Sequence, residues 1–309
     1  NRQNTYKFLV EAEKILREDG KFIENISRFD YNNDGQNEYV CRMQNYFSYI
    51  SLLGGAIQEL EIFKKTGNYA DNFSRMQEYD GVEDSYKRGL FIDHILSNDQ
   101  FEKYINGEAS GDGVFSKVTY KEIKFSSRHH DLQLLAEAVY KPTNQKISIR
   151  KKYIINSDGM NIQYIIKNES NKKLNVKFAV ESNFADINFI PDDLLYPSVE
   201  VAEKEQVIVV DTKKSTNRLN KKGKFSNVEL VRYTDKFNGI SFSFEPNENC
   251  GYCYYPIIYK RPDFITNTLI SSNATYVSTM FWDINIEAEM ETEKNINFSI
   301  TSVKKEKRN

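Results

Sequence analysis

Hydrophobic residues recur with two different periods along this chain. In the first twenty residues Tyr6, Leu9, Val10, Ala12, Ile15 and Leu16 return at three- and four-residue spacing, and Gly20 follows as a stop. That spacing predicts one amphipathic helix whose apolar stripe must pack on something. From residue 38 onward the period falls to two. Ile147 and Ile149 alternate with Ser148 and Arg150, and Ile162, Tyr164 and Ile166 with Gln163 and Ile165. Leu174, Val176, Phe178 and Val180 alternate with Asn175 and Lys177, and Phe242 and Phe244 with Ser241 and Ser243. Short strands of this kind fill most of residues 114–303. Turn signals separate them at Asn156–Gly159, Asn168–Asn171, Lys221–Gly223, Asn238-Gly239 and Asn247–Asn249.

The expected fold is therefore mainly β, a large twisted antiparallel β-sandwich with one N-terminal helix. Crossover helices have too little room for a parallel sheet. Residues 1–20 read as a helical stub of a preceding region, and 21–309 as the sandwich domain. The stretch 64–112, with Gly113 just after it, breaks the strand rhythm with six glycines and with Tyr69, Phe73, Tyr79 and Tyr86. It contains a short helical candidate from Asp99 to Ile105. An irregular insertion of this length in a compact domain points to function. The tail Lys304–Arg308 is a solvated charge run.

Composition narrows the function classes. The chain has 309 residues, with 42 Lys+Arg against 44 Asp+Glu and a formal net charge of -2. Nucleic acid is excluded as the main partner, since phosphate binding needs a basic excess. Mean hydropathy is -0.62. No apolar run reaches the ~18 residues of a membrane span, so a membrane partner is excluded as well. Aromatic residues make up 13% of the chain, too many for a disordered segment. Three cysteines are too few and too odd for a disulfide framework, so a reducing, cytoplasmic location is expected. The chain opens Asn1-Arg2-Gln3 with neither Met nor an apolar leader and is read as a fragment.

The sharpest local motif runs from Asp30 to Glu38. Asp30, Asn32 and Asp34 place side-chain oxygens at alternate positions, and Gly35 occupies the sixth. This is the first half of a calcium loop, with Gln36 offering its carbonyl and Glu38 a further carboxylate. The twelfth position is Cys41, which excludes a true EF-hand. An ordinary Asn/Asp/Gly turn is the competing reading. Cys250 and Cys253 have the C-x-x-C spacing, but strand-like residues follow them and no second pair or nearby His completes a zinc site. They read as unreactive strand cysteines. Of the histidines His94, His129 and His130, His94 sits at the end of the insertion. The single Trp282 could stack on a sugar, but a strand Trp more often fills a core. No P-loop, nucleophile elbow or dinucleotide fingerprint occurs, and among 44 acidic residues spacing cannot select a glycosidase pair.

Several ordered segments resemble the C-terminal part of family 57 glycoside hydrolases of the α-amylase/4-α-glucanotransferase type. They are Tyr6–Leu16, Asp30–Glu38, Gly54–Leu60, Phe91–Leu96, Val180–Phe184 and Val277–Trp282. The stretch Asp186–Asn227 carries no such likeness. The resemblance implies a sandwich similar to galactose mutarotase domains, a so-called supersandwich. It also implies that the catalytic Glu and Asp lie on an upstream barrel of the same polypeptide, and that the substrate is an α-glucan or maltooligosaccharide. This chain would then be an accessory domain flanking that barrel's cleft, and inactive alone. Asn72, Arg88, Asp93 and His94 are the candidates to line the cleft, and calcium is the candidate cofactor at Asp30, Asn32, Asp34, Gln36 and Glu38. Two alternatives are a stand-alone mutarotase- or epimerase-like enzyme using His94 with a carboxylate such as Glu181, and a carbohydrate-binding module without enzyme activity.

Overall fold

The period-two segments form strands, many of them longer than the isolated alternations suggest. The computed structural model describes residues 2–18, 20, 22–64, 67–70, 72–108, 113–185, 198–203, 206–210, 222–235, 238–263 and 265–304. The chain runs α1 (Arg2–Glu18), β1 (Asn25–Phe29), β2 (Glu38–Arg42), β3 (Tyr46–Ile50), β4 (Ile57–Ile62) and β5 (Gly67–Asn68). It continues with α2 (Gln77–Asp80), β6 (Ile92–Leu96), α3 (Asn98–Ile105), β7 (Lys121–Ser126), β8 (Asp131–Tyr140), β9 (Gln145–Asn156), β10 (Gly159–Asn168) and β11 (Leu174–Ala185). Then come β12 (Ser198–Glu203), β13 (Gln206–Val210), β14 (Gly223–Asp235), β15 (Ile240–Pro246), β16 (Cys250–Asp263), β17 (Thr268–Ile286) and β18 (Glu291–Ser302). Lys221, most of 186–221, the side chain of Tyr6 and the tail beyond Lys304 lie outside what is described.

Strands β1 to β5 form a meander in sequence order. The second sheet has the order β6-β11-β17-β16-β14-β15-β18-β10-β9-β8-β7, with β12 and β13 paired off β14. It curls until its two halves face each other, as large twisted sheets do. Tyr164 of β10 meets Phe178 of β11 with ring centroids 5.2 Å apart. Ile147, Ile149, Ile162, Ile166, Leu174, Val180, Phe242 and Phe244 share the core between the halves, as their alternation predicts. Trp282 lies in that core, stacked on Phe178.

The N-terminal helix forms, the candidate at Asp99–Ile105 is α3, and among the described residues the insertion adds the short α2. Helix α3 starts at Ser97, whose side chain and Gln100 form a reciprocal capping box. Among the described side chains of α1, Val10 and Arg17, seven apart, are buried and pack on the small sheet beside Val40, Phe47 and Phe63. Most of the apolar stripe points the other way: Phe8, Leu9, Ile15 and Leu16 are 73, 59, 66 and 67% exposed. Arg17 wins the inner face because its guanidinium stacks 3.8 Å from the Phe63 centroid, ion-pairs with Glu13 and donates Nε–H to the Met43 carbonyl.

The insertion folds over one outer face of the large sheet. Tyr86, Phe101 and Tyr104 are buried there, while Tyr69 reaches the main core beside Phe242. Gly54 and Gly55 turn the chain into β4 with φ of 70° and 55°, the left-handed region that favours glycine. A Cβ on Gly55 would stand 3.2 Å from the Tyr120 ring.

Candidate functional site

Strand alternation separates the predicted site residues at the outset. On β6, Asp93 points into the sandwich and His94 points out. Asp93 meets Lys151 of β9, whose Nζ lies 2.9 and 3.1 Å from the two carboxylate oxygens, and it accepts from the Tyr120 hydroxyl at 2.8 Å. Both partners are fully buried. Burial pushes the Asp93 carboxyl up and the Lys151 ammonium down, against their mutual attraction. Asp93 therefore lines no cleft; it belongs to an internal ion pair.

On the outer face, the other candidates gather around one carboxylate. Glu181 of β11 accepts through Oε2 from Tyr86 (2.7 Å), Tyr104 (2.7 Å) and His94 Nε2 (3.0 Å). Its Oε1 accepts from Arg88 (2.9 Å) and Asn183 Nδ2 (2.6 Å). Arg88 also forks onto Asp84, with both bonds at 2.7 Å, and Asp84 accepts from Arg75. Asn72 donates to the Asn183 carbonyl at 2.8 Å and accepts from Thr275 at 2.8 Å. So Asn72, Arg88 and His94 come together, and every one of them is buried.

The electrostatics follow from burial and charge. Desolvation alone would raise the Glu181 carboxyl. The Arg88 charge and the hydrogen bonds from His94 and Tyr86 overcome it and hold the group well below the usual carboxylate range. Asp84 is likewise lowered: burial opposes it, and the bidentate Arg88 prevails. Tyr86 and Tyr104 are pushed up by burial and by the Glu181 charge. Five donors occupy the Glu181 oxygens, so the group is a poor proton acceptor near neutral pH. What the cluster does is fasten the insertion, through Tyr86, Arg88 and Tyr104, to the middle of β11.

Comparison with known proteins gives this face its context. A family model described as "Alpha-amylase/4-alpha-glucanotransferase, C-terminal" matches residues 82–258, more than half of the chain. The chain belongs to this family. Among solved structures, the 4-alpha-glucanotransferase of Thermococcus litoralis is similar over 95% of this chain, at 17% identity and TM-score 0.71. The match spans only 41% of that chain. Galactose mutarotase-like proteins from Lactobacillus casei (8% identity, TM-score 0.56) and Clostridium acetobutylicum (10% identity, TM-score 0.55) are similar over 89 and 90% of this chain. Those matches cover 100 and 98% of the respective chains and show the shared sandwich fold. No curated protein sequence matches.

In this family member the Asp30–Glu38 loop closes on itself. Asp30 accepts from the backbone N–H groups of Asp34 and Gly35, and Asp34 from that of Gln36. Glu38, buried at the start of β2, accepts from the Tyr31 N–H. The Asn32 amide nitrogen lies between Asp34 (3.0 Å) and Glu38 (3.1 Å) and bridges them with donated hydrogens. Among the described residues, no three His, Cys, Asp or Glu side chains converge as metal ligands. Cys250 and Cys253 sit in β16 as buried free thiols; burial pushes Cys250 up to about 12 and raises Cys253 too, as unreactive strand cysteines should be. His129 and His130 occupy the turn between β7 and β8, at the opposite end of the sheet order from β6. No described helix is long and apolar enough to cross a membrane.

Sequence reasoning missed Asp84, Tyr86, Tyr104 and Lys151. Glu181 and Asn183 share one face of β11 with the polar Asn175 and Lys177, so the alternation reads that face as solvated. Their partners come from segments about 75 to 110 positions away, so no local pattern carries them.

Proposed function

We propose that this chain is the accessory C-terminal domain of a family 57-type α-glucan enzyme, an α-amylase or 4-α-glucanotransferase, whose catalytic barrel precedes α1 in the same polypeptide. The carrying observation is the likeness of 95% of the chain to 41% of a 4-alpha-glucanotransferase, within a family described in the same terms. The two-carboxylate reaction needs its acids about 5 Å apart on a rigid frame. A sandwich beside that frame supplies a wall of the cleft, keeps water out and steadies the glucan. In this reading Asn72, Arg88 and His94 serve the cleft indirectly, by holding the insertion that would face it. The mutarotase-like alternative finds no support at Glu181, which is buried and saturated with donors.

The test is enzymatic. The full-length polypeptide should process maltooligosaccharides, and this chain alone should not. Turnover by the isolated chain, or inactivity of the full-length protein on every α-glucan, would refute the reading.

Calcium at the Asp30–Glu38 loop is proposed as a structural cofactor. Binding would require the Asn32 amide to turn over, so that its oxygen replaces the nitrogen between Asp34 and Glu38. A cation that binds only the folded state raises the melting temperature by mass action. Millimolar calcium should raise it relative to chelator, and Asp34→Ala should remove the difference. Equal melting temperatures in calcium and in chelator would dismiss the cofactor.

A further inference from the structure

Beyond α3, on the same outer face that carries Glu181, an open groove of about 610 Å³ runs between β11, β14, β16 and β17. Its size falls within the range of about 300–1,000 Å³ typical of small-molecule sites. A glycine, a bulge and a turn build it. Gly251 faces Phe281 across the β16–β17 pair, and a Cβ there would stand 2.2 Å from the Phe281 ring. The missing side chain lets that ring lie across β16 as the floor. Strand β14 breaks register with β16 between Phe225 and Val228, and Asn227 adopts φ 57° at the break. The bulge turns Ser226 and Asn227 outward as one wall. Exposed Asn249, in the turn before β16, stands on the rim.

The charges in the groove cancel. Lys177 pairs with Asp283, and both border the groove. Lys224 reaches Glu102 at 3.0 Å, and Glu248 reaches Lys294 at 2.6 Å. The two ammonium groups also lie 5.5 and 5.9 Å from the Phe281 centroid, which fixes them over the floor. A phosphate or carboxylate would find Asp283 and Glu248 among its neighbours. An apolar strip beneath a ring of mixed, neutralised donors and acceptors suits an uncharged polyhydroxyl chain.

We propose that this groove is an auxiliary glucan-binding subsite, separate from the catalytic centre and taking a segment of a linear α-glucan. The assignment of the sugar class rests on the function proposed above; the groove itself stands on its own geometry. This chain is titrated with maltohexaose while the heat of binding is recorded. Saturable heat is expected, with affinity roughly tenfold weaker in Lys224→Ala/Asn249→Ala at unchanged melting temperature. Both substituted residues are exposed, so the fold should survive. No saturable heat, or equal affinity in the double variant, would overturn the subsite. Activity of the full-length protein on α-glucans separates the two ideas. Activity with a silent groove removes the subsite alone, and inactivity removes the parent reading.

Discussion

Lys151 carries an ammonium into the middle of the sandwich, and its surroundings show what keeps it there. It donates to both oxygens of Asp93 and to the Phe91 carbonyl, and the rings of Tyr153 and Tyr164 lie 5.3 and 5.2 Å from its nitrogen. Removing one member of such a pair strands the other charge in the core. Lys151→Met or Asp93→Asn should each cost about 3–5 kcal/mol in urea unfolding, and the double replacement should cost less than either. Equal or additive losses would show that the two groups do not depend on each other. Glu61 of β4 illustrates the opposite case. Burial, with Glu59 and Glu13 nearby, raises its carboxyl to about 8. The folded chain therefore keeps a proton that the unfolded chain releases in the ordinary carboxylate range. Stability is fully present below that range, falls as pH rises through it to about 8, and levels off above. Glu61→Gln should flatten this fall, seen as a smaller melting-temperature difference between about pH 5 and about pH 9 than in the unaltered chain.

At the scale of elements, the insertion is tied down by the pairing of β6 with β11 and, before β6, by polar bonds. Arg88 joins Asp84 within the insertion to Glu181 on β11. Arg88→Met would strip the buried Glu181 of its arginine and leave Asp84 with Arg75 alone, an expected loss of about 3–5 kcal/mol. Hydrogen exchange should locate the damage: amides of residues 72–91 should lose protection while those of β8 to β10 keep theirs. Uniform loss across both regions would mean that the cluster supports the whole sandwich and not the insertion.

For the whole molecule, the face that stands out is on α1. Phe8, Leu9, Ala12, Ile15 and Leu16 fall on one stripe, and that stripe faces solvent. Under the proposed function, it is covered by the preceding domain. Leu9→Asp/Leu16→Asp should leave the melting of this chain within about 0.5 kcal/mol of the original, as surface changes do. In the full-length protein the same pair should lower both melting temperature and activity on α-glucan. A full-length protein indifferent to the pair would show that the preceding domain does not pack there.

The sequence by itself determined the strands, the core and the family. Alternation of Leu174, Val176, Phe178 and Val180, or of Phe242 and Phe244, marks a buried strand face whatever lies opposite, because successive side chains point to opposite sides of a sheet. Periodicity also found α1 and the Asp99–Ile105 helix, since spacing and capping are local properties. It left open which way α1 faces, because a stripe says that a helix packs and not against what. It grouped Asp93 with His94, though adjacent strand residues diverge and the two end on opposite sides of the sheet. Only the tertiary structure joined Tyr86, Arg88, His94 and Tyr104 around Glu181 and set Gly251 beneath Phe281. Those meetings depend on which strands become neighbours, and strand order is decided by the burial of the whole chain at once, not by any segment's own pattern.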